Sequence, residues 1–130
     1  MARILLIDDD ADLVAINRAA LEAGGHAVAV AYSAAEGWEL AARDRPDLLI
    51  LDVMMEHFEA GFDLARRVAR EYPRLPLIML TAVDEFLDGP RRAAQDRDGG
   101  WMPVHRFMEK PVAAAVLLYE IEAVLHEVAA

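Results

Sequence analysis

Unbroken apolar runs of four residues recur along the chain, at Ile4–Ile7, Leu48–Leu51 and Leu77–Leu80. A run without polar alternation is what a strand buried on both faces requires, so each predicts an interior strand. His26–Ala31 (HAVAVA) predicts another strand, and Arg106–Glu109 a short fifth one. Between the strands the apolar period changes to that of a helix. From Asp12 onward Leu13, Ile16, Ala20 and Leu21 form one stripe, which Gly24-Gly25 ends. Ser33 with Glu36 three residues on is a capping box, opening a helix that runs to about Arg43. Gly61 is expected to open a third helix, in which Phe62, Ala65, Val68 and Tyr72 share a face until Pro73 stops it. After Pro111 a last helix is expected to turn Ala114, Leu117, Ile121, Val124, Leu125 and Val128 to the core.

Strands that alternate with helices, over connections long enough to cross back, predict a doubly wound α/β fold on a five-stranded parallel sheet. No repeat, low-complexity tract or linker interrupts the 130 residues, so residues 1–130 are expected to form one domain. The least regular stretch is Val83–His105. It holds Asp88-Gly89-Pro90, a short helix expected from Arg91 to about Gln95, and an apolar patch at Trp101–Val104. A connection of that length is more often functional than inert.

Composition narrows the classes. With 56% hydrophobic and 28% charged residues the chain is globular in type. The absence of cysteine excludes disulfides, thiolate metal sites and cysteine nucleophiles. Thirteen basic against 23 acidic side chains give a formal charge of -10, which argues against nucleic acid as a partner. No run approaches the ~20 apolar residues that cross a bilayer. Ile4–Ile7 meets three aspartates too soon to be a signal peptide core. The expectation is a cytoplasmic protein without membrane contact. Twelve of the thirteen basic residues are arginine, and the one lysine is Lys110.

Ligands of open α/β sheets bind at the carboxyl ends of the strands. The sequence puts Asp8, Asp9 and Asp10 after the first strand and Asp52 at the end of the third. Thr81 follows the fourth strand and Lys110 the fifth. Clustered carboxylates need a cation, and hard oxygen donors without histidine or cysteine favour Mg2+ over zinc or copper. A carboxylate can also attack a phosphoryl group, with a metal ion, a lysine and a hydroxyl sharing the charge on its oxygens. Simpler roles compete. Asp10 or Asp12 reads best as a helix N-cap, but Asp8 and Asp9 cannot both cap as well. Asp52 alone would read as a turn aspartate, Thr81 as a cap and Lys110 as a surface charge. His26, His57, His105 and His126 lack metal-ligand spacing, and Trp38 reads as packing.

RILLIDDDAD, LLILDVMM, LIMLTA and FMEKPV, in this order, resemble the receiver domains of two-component response regulators over essentially the whole chain. The resemblance implies a flavodoxin-like fold with strand order 2-1-3-4-5. It makes Asp52 the phosphoacceptor, served by a sensor histidine kinase or a phosphotransfer protein. Asp8, Asp9, Asp52 and the backbone carbonyl of Met54 would hold Mg2+. Thr81 and Lys110 would stabilise the phosphoryl group, and Phe107 would be the switch aromatic. Met54 and Val83 occupy the positions that tune phosphoryl lifetime in the family. Both are apolar here, which implies slow autodephosphorylation.

Two departures stand out. The loop after the acceptor lacks the family's proline, and its glycine, Gly61, comes one residue late. The segment between the fourth and fifth strands is lengthened, on a face through which receivers usually signal. A stand-alone receiver is the expectation, with a piece of a longer protein as the alternative. Two rival functions remain at this point. One is a phosphate-independent interaction module. The other is a Mg2+-dependent aspartyl phosphatase, which Met54 disfavours because such enzymes carry a second carboxylate there.

Overall fold

Alternate residues of the inner strands go to opposite faces of one parallel sheet. The computed structural model describes residues 2–52, 58–82, 105–110 and 112–129, with the backbone alone for 58–60, 62, 81, 82, 107, 109, 110 and 129. The strands are β1 (Arg3–Ile7), β2 (Ala27–Ala31), β3 (Leu48–Asp52), β4 (Leu77–Ala82) and β5 (Arg106–Lys110). All neighbours pair in parallel, in the order β2-β1-β3-β4-β5. The helices described are α1 (Ala11–Ala23), α2 (Ala34–Arg43), α3 (Phe58–Glu71) and α4 (Ala114–Ala129).

Parity divides the core. Leu5, Ile7, Leu49, Leu51 and Met79 pack with Ala41 of α2 and with Leu64, Ala65 and Val68 of α3. Ile4, Leu6, Leu48, Ile50 and Ile78 pack with Val14 and Leu21 of α1 and with Leu117, Ile121 and Val124 of α4. Both faces are covered, and that is why these strands read as unbroken apolar runs. Trp38 and Tyr72 pack against the first of these layers, as expected for Trp38.

Three expectations need correcting. On α1 the buried residues are Val14 and Leu21, while Ile16 is 64% exposed. Apolar residues fill positions 13 to 16 without a break, so two helical registers fit the same letters. The third helix begins at Phe58, which puts Gly61 inside it and not at its start. A glycine lowers helix stability by about 1 kcal/mol and does not by itself end a helix. On α4, Ala114 is exposed and Val128 is 43% exposed, because the core stripe stops at Leu125.

Local chemistry fixes the helix starts. Asp10 is the N-cap of α1, its carboxylate accepting the N–H groups of Asp12 and Leu13 at 3.0 and 3.2 Å. Ser33 caps α2 through the N–H of Glu36, whose own carboxylate reaches back to the N–H of Tyr32 at 2.7 Å. Gly25 turns the chain into β2 with φ of 93°, a conformation that glycine adopts at little steric cost. His26 is buried before β2, and its Nδ1 accepts the N–H of Ala2 at 3.1 Å. The lengthened segment, with its expected helix at Arg91–Gln95, lies outside the described residues up to His105, as do Met54, Val83 and His57.

Candidate metal centre

Asp8 continues the parity of Ile4 and Leu6, and Asp52 that of Leu48 and Ile50, so both carboxylates belong to the same side of adjacent strands. The strands register Ile7 against Leu51, which brings Asp8 level with Asp52 at the carboxyl edge. The Asp8 N–H donates to the Ala31 carbonyl at 3.1 Å, prolonging the β1–β2 ladder by one bond. Asp8 is 1% exposed and Asp52 4%, while Asp9 is exposed.

Carboxylate oxygens of Asp8, Asp9 and Asp52 lie within 4.8 Å of one another. Three ionised carboxylates that close repel by roughly 3 kcal/mol per pair at an effective dielectric constant near 20. Two local features offset part of this. Asp8 Oδ1 accepts the N–H of Asp10 at 3.0 Å. The N-terminus of α1 starts at Ala11, so the positive end of its dipole stands beside the cluster. The donor set also fits a small hard cation. Oxygen ligands of octahedral Mg2+ sit about 2.1 Å from the ion and roughly 3–4 Å from each other, a spacing these side chains reach with slight movement.

Register places the remaining residues by backbone alone. Asp52 pairs with Leu80, so Thr81 is one residue further along the neighbouring strand. Thr81 pairs with Glu109, and Ala82 with Lys110 at the end of β5. Phe107 pairs with Met79, deeper in the sheet. Thus Asp8, Asp9 and Asp52 are brought together as side chains, while Thr81 and Lys110 share their edge. The contact that sequence reasoning missed is the N–H of Asp10 on Asp8. Its signal was present in the run of three aspartates, because an Asp side chain commonly accepts the N–H two residues on.

Residues 4–122 match the family described as response regulator receiver domain. Among curated proteins, the chain is 37% identical over 128 residues to the transcriptional regulatory protein AfsQ1 of Streptomyces coelicolor, covering 96% of this chain and 52% of that one. The response regulator MprA of Mycobacterium leprae is 36% identical, over 95% of this chain and 50% of its own length. The chain therefore spans about half the length of these two relatives. It covers 98% of the Protein PilH of Pseudomonas aeruginosa, at 33% identity over 96% of this chain. Among solved structures, a receiver domain protein from Clostridium thermocellum matches with TM-score 0.83 and 26% identity, over 98% of this chain and 96% of that one. A CheY-like receiver protein from Methanospirillum hungatei matches with TM-score 0.84 and 25% identity, over 99% and 97%. The matches span the sheet and the acidic edge alike, and the chain belongs to the response regulator receiver domains of two-component systems.

Proposed function

We propose that the chain is a Mg2+-dependent phosphoacceptor whose nucleophile is Asp52, charged by a sensor histidine kinase or a phosphotransfer protein in the cytoplasm. The observation that carries this reading is the convergence of Asp8, Asp9 and Asp52 at one strand edge. In the transfer, a carboxylate oxygen of Asp52 forms a bond to phosphorus as the bond from phosphorus to the donor nitrogen breaks. The electron pair of the broken bond stays on the donor imidazole, which is left neutral once it holds a single proton. Asp8, Asp9, Asp52 and the Met54 carbonyl would hold Mg2+, and the ion would supply positive charge that screens phosphoryl oxygens from the carboxylates. Thr81 and Lys110 take the remaining charge of the group, and Phe107 repacks with them. The result is a biased equilibrium between two conformations that a partner reads, and not a new fold.

Intact mass after incubation with acetyl phosphate tests this. The wild type gains one phosphoryl group with Mg2+, and Asp52→Asn or omission of the metal abolishes the gain. Absence of any gain together with absence of Mg2+ binding would favour the phosphate-independent module. Steady turnover of an aryl phosphate would favour the phosphatase. Lifetime offers a second reading of the site. Replacing apolar Met54 with Asn, which can orient a water, should shorten the half-life of the phosphoryl group several-fold. An unchanged half-life would show that Met54 does not limit water access.

A further inference from the structure

We propose that the outer edge of β2 is a self-association surface, pairing antiparallel with β2 of a second copy of this chain across a two-fold axis. The edge lies beyond β1, and its role does not depend on the phosphoacceptor reading. Among the described residues β2 has one strand neighbour, β1. The Ala27 N–H donates to the Ala2 carbonyl at 2.9 Å, and the Ala31 carbonyl accepts the N–H of Asp8 at 3.1 Å. Backbone groups alternate between the two sides of a strand. Ala27, Ala29 and Ala31 therefore serve β1, while the N–H and C=O groups of Val28 and Val30 point outward. No described residue bonds to those outward groups. Edges are commonly guarded by charged side chains, proline or a bulge. The strand AVAVA carries no charge, proline or glycine, and Ala27 and Ala29 are exposed.

The same five letters read alike in both directions. Antiparallel pairing about an axis through Ala29 sets Val28 against the second copy's Val30, each exchanging its outward bonds with the other. Ala27 then faces Ala31. Ala29 faces its own equivalent as a non-hydrogen-bonded pair, where Cα atoms approach to about 4.5 Å. A methyl side chain suits so close an approach, and branched valines pack well against each other across strands. No like charges meet along the paired strands.

The flanking helix favours a second copy over an unrelated strand. A groove of about 230 Å³ runs beside the edge, lined by Ala27, Val28, Ala29, Leu40 and Pro46, with the Arg3–Asp44 ion pair at its wall. Positions 36, 40 and 43 share one side of a helix, so Glu36 and Arg43 stand on the flank of α2 that carries Leu40. Glu36 is in the first turn and Arg43 in the last. The two-fold axis runs α2 antiparallel to its equivalent, which brings Glu36 of each copy toward Arg43 of the other. Arg43 has no carboxylate partner among the described residues. Glu36 accepts the N–H of Tyr32, and a carboxylate has room for further donors. The formal charge of -10 opposes association. Antiparallel pairing sends the two acidic edges to opposite ends of the dimer, so the repulsion that remains is long-range and screened by salt.

Sedimentation equilibrium of the full chain provides the test. A reversible dimer is expected, and it should tighten as salt is raised from low ionic strength. Ala29→Lys or Ala29→Glu places like charges face to face on the axis, and each should weaken association about tenfold or more. An equimolar mixture of the two should restore it, because lysine then faces glutamate. Val28→Pro removes an outward N–H and no bond to β1, so it should weaken association while circular dichroism shows the fold intact. Tyr119→Ser, at an exposed position of α4, should change nothing. A chain that stays monomeric at every salt and protein concentration would overturn the proposal. So would a dimer that both Ala29 variants leave intact, a mixture of the two that stays monomeric, or a dimer that Tyr119→Ser dissociates. A monomer that captures a labelled valine-rich peptide would assign the edge to a foreign strand, and would overturn it as well.

Discussion

Asp10 links the scaffold to the carboxylate cluster through two sets of hydrogen bonds. Its carboxylate satisfies the first amides of α1, and its own N–H holds Asp8. Asparagine caps as well as aspartate, whereas alanine cannot cap at all. Asp10→Ala should therefore lose about 1 kcal/mol in urea unfolding, and Asp10→Asn should stay close to the wild type. Equal losses in the two variants would mean that charge, and not the cap, is what Asp10 contributes. His105 makes a comparable bond at the other end of the sheet, its Nδ1 accepting the N–H of Leu77 at 3.2 Å. Desolvation holds its pKa below the ordinary 6.5, opposed by Glu127 and helped by Arg106. The unfolded chain therefore takes up the proton first, so the contribution to stability is complete above about pH 6.5 and is lost as pH falls through the lowered folded value. Between about pH 7.5 and 5.5 the urea midpoint of the wild type should drop more than that of His105→Gln. Parallel drops would remove His105 from the account.

At the scale of elements, α2 approaches β1 closely at Gly37. A Cβ on Gly37 would strike Cδ1 and Cγ1 of Ile7, a fully buried side chain one residue before Asp8. Helix propensity alone favours Gly37→Ala by up to about 1 kcal/mol, so a net loss measures the clash. We expect a net destabilisation of about 1–3 kcal/mol by chemical denaturation. An unchanged or raised stability would mean that α2 can back away from the sheet. The elements themselves were legible because both sheet faces are covered, which leaves continuous apolar tetrads in β1, β3 and β4. The register of α1 was not legible, since a run of apolar residues at its start fits two faces equally. Nor was the start of α3. Gly61 looks like punctuation in the sequence, but it is buried within a helix that starts three residues earlier.

For the molecule as a whole, topology does most of the positioning. Parallel pairing sends every strand's carboxyl end to one edge, so residues far apart in sequence meet there, and the strand-end aspartates could be read as one cluster before any coordinate was known. The stacking of two arginines on Trp38 and Tyr72 could not be read in this way. Trp38 comes from α2, Arg67 from α3, Tyr72 from just after α3 and Arg45 from the turn after α2, and their meeting depends on how two helices lean together, which no periodicity encodes. The proposed function thus rests on the acidic edge at the carboxyl end of the sheet, where Asp8, Asp9 and Asp52 meet. Its central claim is that one particular carboxylate of the acidic cluster takes the phosphoryl group. The most direct test is to charge the chain with acetyl phosphate and Mg2+, reduce any acyl phosphate with borohydride, and sequence the peptides by mass spectrometry. The account predicts homoserine at position 52 alone, and only when Mg2+ is present. Homoserine at position 8 or 9, or the same yield at position 52 without Mg2+, would contradict it.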